Sequence, residues 1–147
     1  DIVLHDIADG FTVAMAGRQV TFFDILSTKM KQFGFTTRLE DGRMLCCLGD
    51  EPYNPDCEAY VRGADWLLCE AFCLYGDRER FKPYEKHHST VKEASELAQR
   101  LQIPHLVLWH TEDRTLPRRK ERYSQEGRQY YHGDLHVPDD LERIPLA

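Results

Sequence analysis

The amino-acid sequence predicts a mixed, layered domain of the α+β class. The first third of the chain is rich in Val, Ile, Phe and Thr, which favour strands, and turn residues separate these runs. Farther along, apolar strand-like runs alternate with two helical patterns. This order of elements is typical of a domain in which helices pack on a sheet.

Five strands are predicted in the first third of the chain, and turn residues connect them. Asp9-Gly10 and Ala16-Gly17 supply turns between the first three strands, and Glu40-Asp41-Gly42 is the predicted turn of a hairpin. The five predicted strands lie at 2–7, 11–16, 19–25, 33–39 and 43–48.

The clearest helix of the second part begins at Thr90. Thr90 can cap this helix together with Glu93, three residues later, in a capping box. Apolar residues then recur at helical spacing until Pro104, which stops the helix. The other predicted elements are a short helix at 55–62, strands at 65–70 and 106–109, a polar helix at 116–129 and an edge strand at 130–137.

Composition excludes several classes of protein. The 147 residues include 19 basic and 25 acidic side chains, so the formal net charge is −6. No apolar run approaches the roughly 18 residues that a membrane span requires, so we expect no membrane association. The acidic balance argues against a nonspecific binder of duplex DNA. We expect one domain over residues 1–147.

The cysteines indicate a reducing compartment. They are odd in number, form no Cys-x-x-Cys pair and mostly lie in apolar runs, which is a poor basis for a disulfide framework. We therefore expect free, buried thiols and a cytoplasmic location. The five are Cys46, Cys47, Cys57, Cys69 and Cys73.

Three groups of polar residues adjoin apolar runs and are candidates for chemistry. Asp50 follows the strand at 43–48. A carboxylate there can bind cations, or it can simply accept hydrogen bonds from the backbone of its own turn. His88 precedes the Thr90 helix, where it could contact a phosphate, or it could be solvated beside a capping residue. His110 ends the strand at 106–109, where a histidine can bind metal or be structural.

The order of these groups resembles the C-terminal half of a metallo-β-lactamase-superfamily hydrolase, in the branch that contains ribonuclease Z. The resemblance covers about residues 20–110 and implies half of a four-layer αββα sandwich. Its motifs are Gly34-Phe35, Asp41-Gly42, Leu48-Gly49-Asp50, Ala64 to Phe72, His88-Ser89-Thr90, Glu93-Ala94 and Leu106 to His110.

The resemblance implies a role for four residues. Asp50 matches an aspartate that bridges two divalent metal ions, and His110 matches the last metal-binding histidine. His88 matches a histidine that contacts the scissile phosphate and assists proton transfer, and Glu70 matches the glutamate that supports it. The catalytic set is thus Asp50, Glu70 and His88. Zinc is the expected metal, although manganese or iron also tolerates such ligands.

Two features of the family are missing from this sequence. The His-x-His-x-Asp-His cluster that supplies most of the metal ligands does not occur, and Ile25 to Lys29 occupies the place of another expected histidine. Two protein ligands are too few for a stable zinc site. Either the chain is part of a longer protein, which the absence of an initiator Met favours, or it is a relative that has lost its metals.

The resemblance therefore predicts a metal-dependent hydrolase, of phosphodiesterase or ribonuclease Z type, in which a metal-activated water attacks the substrate. We expect a phosphoester or another small hydrolysable substrate, with RNA possible, and a homodimer. The alternative is a non-catalytic binding or assembly module that keeps the half-fold without metals. A basic stretch from Arg114 to Arg122 could meet a phosphate or could be a solvated helix face.

Overall fold

The fold is known from a computed structural model that describes residues 4–146. Seven strands of this part of the chain form one sheet, and four α-helices accompany it. The strands are β1 (Thr12–Met15), β2 (Arg18–Asp24), β3 (Phe33–Arg38), β4 (Met44–Cys47), β5 (Trp66–Glu70), β6 (His105–Trp109) and β7 (Asp134–His136). The helices are α1 (Glu58–Val61), α2 (Arg78–Phe81), α3 (Val91–Arg100) and α4 (Arg119–Gly127).

The sheet follows the order of the chain from β1 to β7, with a change of direction in the middle. Neighbouring strands from β1 to β4 are antiparallel. Short turns join β1 to β2 and β3 to β4, whereas the longer segment 25–32 joins β2 to β3. The pairs β4–β5, β5–β6 and β6–β7 are parallel, so helical crossovers separate these strands in sequence. As a result, the carboxyl ends of β4, β5 and β6 meet at one edge of the sheet.

Most predicted elements are confirmed, and one is wrong. The strand predicted at 2–7 is not formed by residues 4–7, which are exposed, and residues 1–3 lie outside the described residues. An apolar run becomes a strand only where a ladder partner is available, and β1, the edge strand, pairs only with β2 among the described strands. Conversely, short helical turns between Tyr75 and Lys86 were not predicted.

One face of the sheet, here called the helix-covered face, carries the main core. Leu67 and Leu106 on neighbouring parallel strands are fully buried there, in the same cluster as Ala94 and Ala98 of α3. The predicted capping box of Thr90 and Glu93 is present, so α3 begins where the sequence indicates. Tyr123 of α4 completes this layer, and its hydroxyl donates to the carbonyl of Phe72 at 2.9 Å.

The opposite face, here called the open face, has a smaller cluster without any helix residue. Leu45, Trp66 and Val107 are buried in it, with partly buried side chains packed against them. These include Ile144 and Leu146, so the C-terminal segment covers part of this face. Trp109 is 38% exposed farther along β6. The open face is therefore apolar but only partly covered by residues 4–146.

No helix in the described part of the chain has the length and apolar character needed to cross a bilayer. The five cysteines are free and buried, as predicted.

Candidate active site

The candidate residues gather at the edge where β4, β5 and β6 end. Asp50 follows β4 after Gly49, which has a φ of 80°. A Cβ atom at Gly49 would lie 3.1 Å from Cδ1 of Ile25, so glycine suits this tight turn on two grounds. Glu70 is the last residue of β5, and His110 directly follows β6. His88 reaches the same edge from the segment that leads into α3.

The closest contact within this group joins Glu70 and His88. Glu70 is 0% exposed, and its Oε2 lies 3.3 Å from Nδ1 of His88. Its other oxygen, Oε1, accepts a hydrogen bond from the backbone N–H of Ser89. The angles at the Oε2–Nδ1 contact do not meet hydrogen-bond geometry, and neither atom has another partner within residues 4–146. This buried pair is therefore held close without being fully satisfied.

Burial shifts the pKa of both partners toward the neutral form. Loss of solvation raises the pKa of Glu70 to about 8, although the N–H of Ser89 opposes this shift. Loss of solvation also lowers the pKa of His88, and the nearby His110 and Lys29 lower it further. Asp50 acts in the opposite direction on His88, through its backbone and its carboxylate. Both shifts favour the neutral forms of the two side chains.

The ring of His88 is held between two aromatic neighbours. The ring of Phe72 stacks on it with a centroid distance of 4.8 Å and an interplanar angle of 19°. The ring of His110 approaches it at 5.0 Å. His110 itself has a φ of 52°, in the left-handed region that non-glycine residues rarely adopt. Such backbone strain is often found at functional sites, because the surrounding structure must hold it in place.

Backbone hydrogen bonds join the three segments that carry these side chains. The N–H of Phe72 donates to the carbonyl of Ser89 at 3.0 Å, and the N–H of Ala71 donates to Trp109 at 3.0 Å. The hydroxyl of Ser89 also donates to the carbonyl of Glu70 at 3.1 Å. The end of β5 is thereby tied both to the segment before α3 and to the end of β6. The relative positions of Glu70, His88 and His110 follow from this network.

A second set of polar side chains borders the site. Glu51 is buried, and its Oε1 accepts from the Ser27 hydroxyl at 2.7 Å. Nζ of Lys29 lies 3.9 Å from the same oxygen. Thr28 contacts Nδ1 of His87 at 3.1 Å. The stretch 25–29, where the resemblance leads one to expect a histidine, thus brings an amine to the site. No local signal in the sequence indicated this proximity.

The structure favours neither of the two possible anion sites, the start of α3 and the basic stretch from Arg114 to Arg122. The N–H groups at the start of α3 already have partners, because those of Thr90 and Val91 donate to Glu93 and Cys73. The basic stretch is also largely neutralised: Arg119 is buried against Thr111 and Pro138, while Arg118, Lys120 and Arg122 pair with carboxylates. Neither feature offers a ready phosphate site, and the basic stretch is part of a helix that pairs its charges.

The metal-binding set is incomplete within the described residues. Asp50 and His110 offer the carboxylate and imidazole that divalent transition metals accept. No third donor joins them in residues 4–146, where the grouping of three potential ligand atoms lies elsewhere, at His105, Asp134 and His136. The donor chemistry of Asp50 and His110 therefore fits a metal, but their number does not suffice to hold one.

A cavity of about 370 Å³ adjoins His88 and Ser89. Tyr84, Glu93 and Arg100 also line it, so it combines aromatic and charged groups. This volume lies within the range of small-molecule sites. The cavity would allow a small group to lie next to the His88 ring.

Comparison with known proteins assigns the fold. No protein-family model matches the chain. The metallo-β-lactamase fold protein YhfI from Bacillus subtilis superposes with a TM-score of 0.71 at 14% identity, covering 90% of this chain and 51% of that chain. The short form of human tRNase Z superposes with a TM-score of 0.63 at 25% identity, covering 88% of this chain and 42% of that chain. The chain therefore has a metallo-β-lactamase fold and corresponds to about half of these structures.

Sequence comparison narrows the assignment to one branch. Ribonuclease Z from Bradyrhizobium sp. (strain ORS 278) is 35% identical over 109 residues, which is 74% of this chain and 32% of that protein. Ribonuclease Z from Ligilactobacillus salivarius (strain UCC118) is 28% identical over 132 residues, which is 89% of this chain and 40% of that protein. The chain belongs to the ribonuclease Z-like branch of the metallo-β-lactamase superfamily. It spans about a third to two fifths of these relatives.

Proposed function

We propose that the chain forms part of a metal-dependent hydrolase that cleaves phosphoesters, with RNA as the substrate class of its ribonuclease Z relatives. The observation that carries this proposal is the buried pair of Glu70 and His88 at 3.3 Å, beside Asp50 and His110. A desolvated pair of titratable groups with shifted pKa values is typical of an active site.

In this proposal, His88 contacts the phosphate and transfers a proton during cleavage. The contact with Glu70 and the stack on Phe72 fix the ring, so the imidazole is oriented before substrate binds. Glu70 acts through His88 and is a positioning residue. The cavity of about 370 Å³ beside His88 would accept part of the substrate.

Asp50 and His110 are the proposed metal ligands of this chain. A divalent metal in such a site polarises phosphate oxygens and lowers the pKa of bound water. We propose two ions, with zinc as the expected metal and manganese or iron as substitutes. The remaining ligands would come from residues outside the described part of the chain or from a partner chain.

We further propose that the chain is one half of a four-layer αββα sandwich, corresponding to the C-terminal half. Two observations support this architecture. The open face of the sheet is apolar and only partly covered, and the neighbouring structures are about twice as long as the part that matches. A second sheet packed on the open face would complete the sandwich.

The decisive experiment measures hydrolysis of a bis-aryl phosphodiester by the complete gene product after addition of Zn²⁺ or Mn²⁺. We expect His88→Asn to bind metal like the wild type but to lose about 10²- to 10⁴-fold in kcat, the usual contribution of acid–base catalysis. His132→Asn is the matched control, because His132 is an exposed histidine just before β7. Equal rates for both variants would contradict the assigned role of His88.

Metal content tests the ligand assignment separately. We expect Asp50→Ala and His110→Ala to lower the metal content measured by elemental analysis and to abolish metal-dependent turnover. Asp113→Ala, a nearby exposed carboxylate, serves as the control. Unchanged metal content in both Asp50→Ala and His110→Ala would refute the ligand assignment.

One observation favours a second candidate, a non-catalytic assembly module. The open face would also serve as a surface for another chain, with or without metals. This candidate predicts a metal-free protein without phosphodiesterase activity after metal addition. Homodimerisation and a cytoplasmic location stay predictions, which size-exclusion chromatography with light scattering and cell fractionation would test.

A further inference from the structure

A second group of potential metal ligands lies at the other end of the sheet. It consists of His105, Asp134 and His136, whose ligand atoms all lie within 4.8 Å of one another. His105 begins β6, whereas His110 follows its end, so the two histidines are about 16 Å apart at the strand rise of about 3.3 Å per residue. The group shares no residue with the candidate active site.

The register of the sheet brings these three side chains together. His105 is the direct partner of Asp134 in the parallel pairing of β6 with β7. Asp134 and His136 are two residues apart on β7, so their side chains point to the same side of the sheet. The ligands therefore come from two hydrogen-bonded strands, which hold donor atoms more rigidly than loops do.

One nitrogen of each histidine lies close to the same carboxylate oxygen. Oδ2 of Asp134 lies 3.0 Å from Nδ1 of His105 and 2.8 Å from Nε2 of His136. A tetrahedral zinc ion with bonds of about 2.1 Å separates its ligand atoms by about 3.4 Å. Oδ2 of Asp134 would have to move a few tenths of an ångström away from each nitrogen to reach this spacing, and all three donor atoms already lie within 4.8 Å of one another. Water would be the fourth ligand.

Trp66 holds the two imidazole rings in place. Its ring stacks on His105 at a centroid distance of 4.2 Å and an angle of 10°, and it lies 5.3 Å from His136. Trp66 is buried, whereas the side chains of His105 and His136 are each 26% exposed and that of Asp134 is 55% exposed. Within residues 4–146, the imidazole rings therefore pack against Trp66 on one side, and their side chains are partly exposed.

We propose that His105, Asp134 and His136 form a divalent transition-metal site, with Zn²⁺ as its preferred ion, that links edge strand β7 to β6. Two imidazole nitrogens and one carboxylate oxygen are a donor set that suits zinc and disfavours Mg²⁺ and Ca²⁺, which require oxygen ligands. The ion stabilises the last strand of the sheet, because it binds the folded register and not the separated strands.

The test measures zinc bound by the protein after chelator treatment, reloading with ZnCl₂ and gel filtration. We expect the wild type to hold one equivalent more than Asp134→Asn or His136→Gln and to show a higher Tm with zinc. His132→Gln is the matched control, because His132 is exposed and lies just before β7. Asp134→Asn is nearly isosteric, so it decides the test if His136→Gln fails to fold.

A spectroscopic readout locates the ion. Because Trp66 stacks on His105, we expect zinc to change tryptophan fluorescence in His110→Ala and not in the double variant His110→Ala/Trp66→Phe. His110→Ala is the background because Trp109 lies beside His110 and would respond to zinc bound there. The extra equivalent should persist in Asp50→Ala and His110→Ala, which separates this site from the proposed active site. Equal zinc content in the wild type, Asp134→Asn and His136→Gln, or a fluorescence change that survives in His110→Ala/Trp66→Phe, would overturn the proposal.

Discussion

The two faces of the sheet share the same strands but differ in what covers them. On the helix-covered face, Leu67 and Leu106 pack against α3 and are fully buried. On the open face, Trp66 and Val107 are buried by a C-terminal segment, whereas Trp109 is 38% exposed. The first face supplies the hydrophobic free energy of this chain, and the second leaves apolar area for a further layer.

The candidate active site lies at the edge of the sheet, where side chains from both faces come close together. Glu70 is on the same side of β5 as Trp66 and Leu68, yet it is fully buried. The segment around His88 and Ser89, which leads into α3, covers the Glu70 side chain and hydrogen-bonds to it. The site is therefore assembled from an element of each face.

Truncation of adjacent leucines gives the largest expected difference between the faces. We expect Leu67→Ala to lower the free energy of unfolding of the chain by about 2–5 kcal/mol, because Leu67 is fully buried and leaves a cavity. Leu68→Ala, its neighbour on the open face, should cost clearly less. Urea denaturation measures both values. Equal losses in this chain would show that the open face contributes as much core as the other.

Removal of the buried carboxyl group tests the junction of the faces. We expect Glu70→Ala to lower the free energy of unfolding by about 2–4 kcal/mol, because it creates a cavity and leaves the Ser89 N–H without its acceptor. Glu70→Gln keeps an acceptor oxygen and should cost much less. If both variants unfold at the wild-type urea concentration, Glu70 is not enclosed as the structure indicates.

Truncation of the exposed aromatic residue on the open face should have a smaller effect. We expect Trp109→Ala to cost less in the isolated chain than the removal of a fully buried aromatic side chain, because Trp109 is 38% exposed there. In a protein whose open face is covered, the same change should cost about 3–5 kcal/mol. Thermal unfolding of the isolated chain and of the complete gene product compares the two. A low cost in both would argue against a covering layer.

The smallest expected effect concerns a partly buried carboxylate on α4, one of the helices that cover the sheet. Burial raises the pKa of Glu126 of α4, while its contact with the N–H of Tyr75 opposes the shift. Because the folded pKa exceeds the unfolded value, the stability from the protonated form is complete at low pH and is lost as pH rises through the folded pKa.

We therefore expect the stability of the wild type to fall, relative to Glu126→Gln, as the pH rises from about 4 to neutrality. Urea midpoints at a series of pH values measure this difference. Glu121→Gln is the matched control, because Glu121 lies on the same helix and is exposed. A constant difference between wild type and Glu126→Gln across this range would show that the carboxyl group is not desolvated.

Much of the fold followed from local sequence signals, because they act over a few residues. The capping box of Thr90 and Glu93 fixed the start of α3, and Glu40-Asp41-Gly42 produced the predicted hairpin. The strand predicted at 2–7 failed in its described part for a complementary reason. Apolar character alone does not provide a strand with hydrogen-bond partners, and residues 4–7 have none in the sheet.

The candidate site was only partly accessible from sequence. The resemblance to the ribonuclease Z-like branch selected Glu70 and His88, and the structure brings them within 3.3 Å. It did not indicate that Lys29 would border the same site, because the contact of Lys29 with Glu51 joins distant segments. The roles of Asp50, Glu70, His88 and His110 stay predictions until the variants are measured.

The sequence by itself determined most of the segments that become strands and helices, since turn residues, caps and hydrophobic spacing are local. Tertiary structure decided which side chains meet. Asp134 and His136 share a face through simple alternation, but only the register of β6 against β7 places His105 beside them. Likewise, only the packing of helices on one side leaves the other side of the sheet open. Both outcomes depend on contacts between residues far apart in the chain, and no local pattern encodes those contacts.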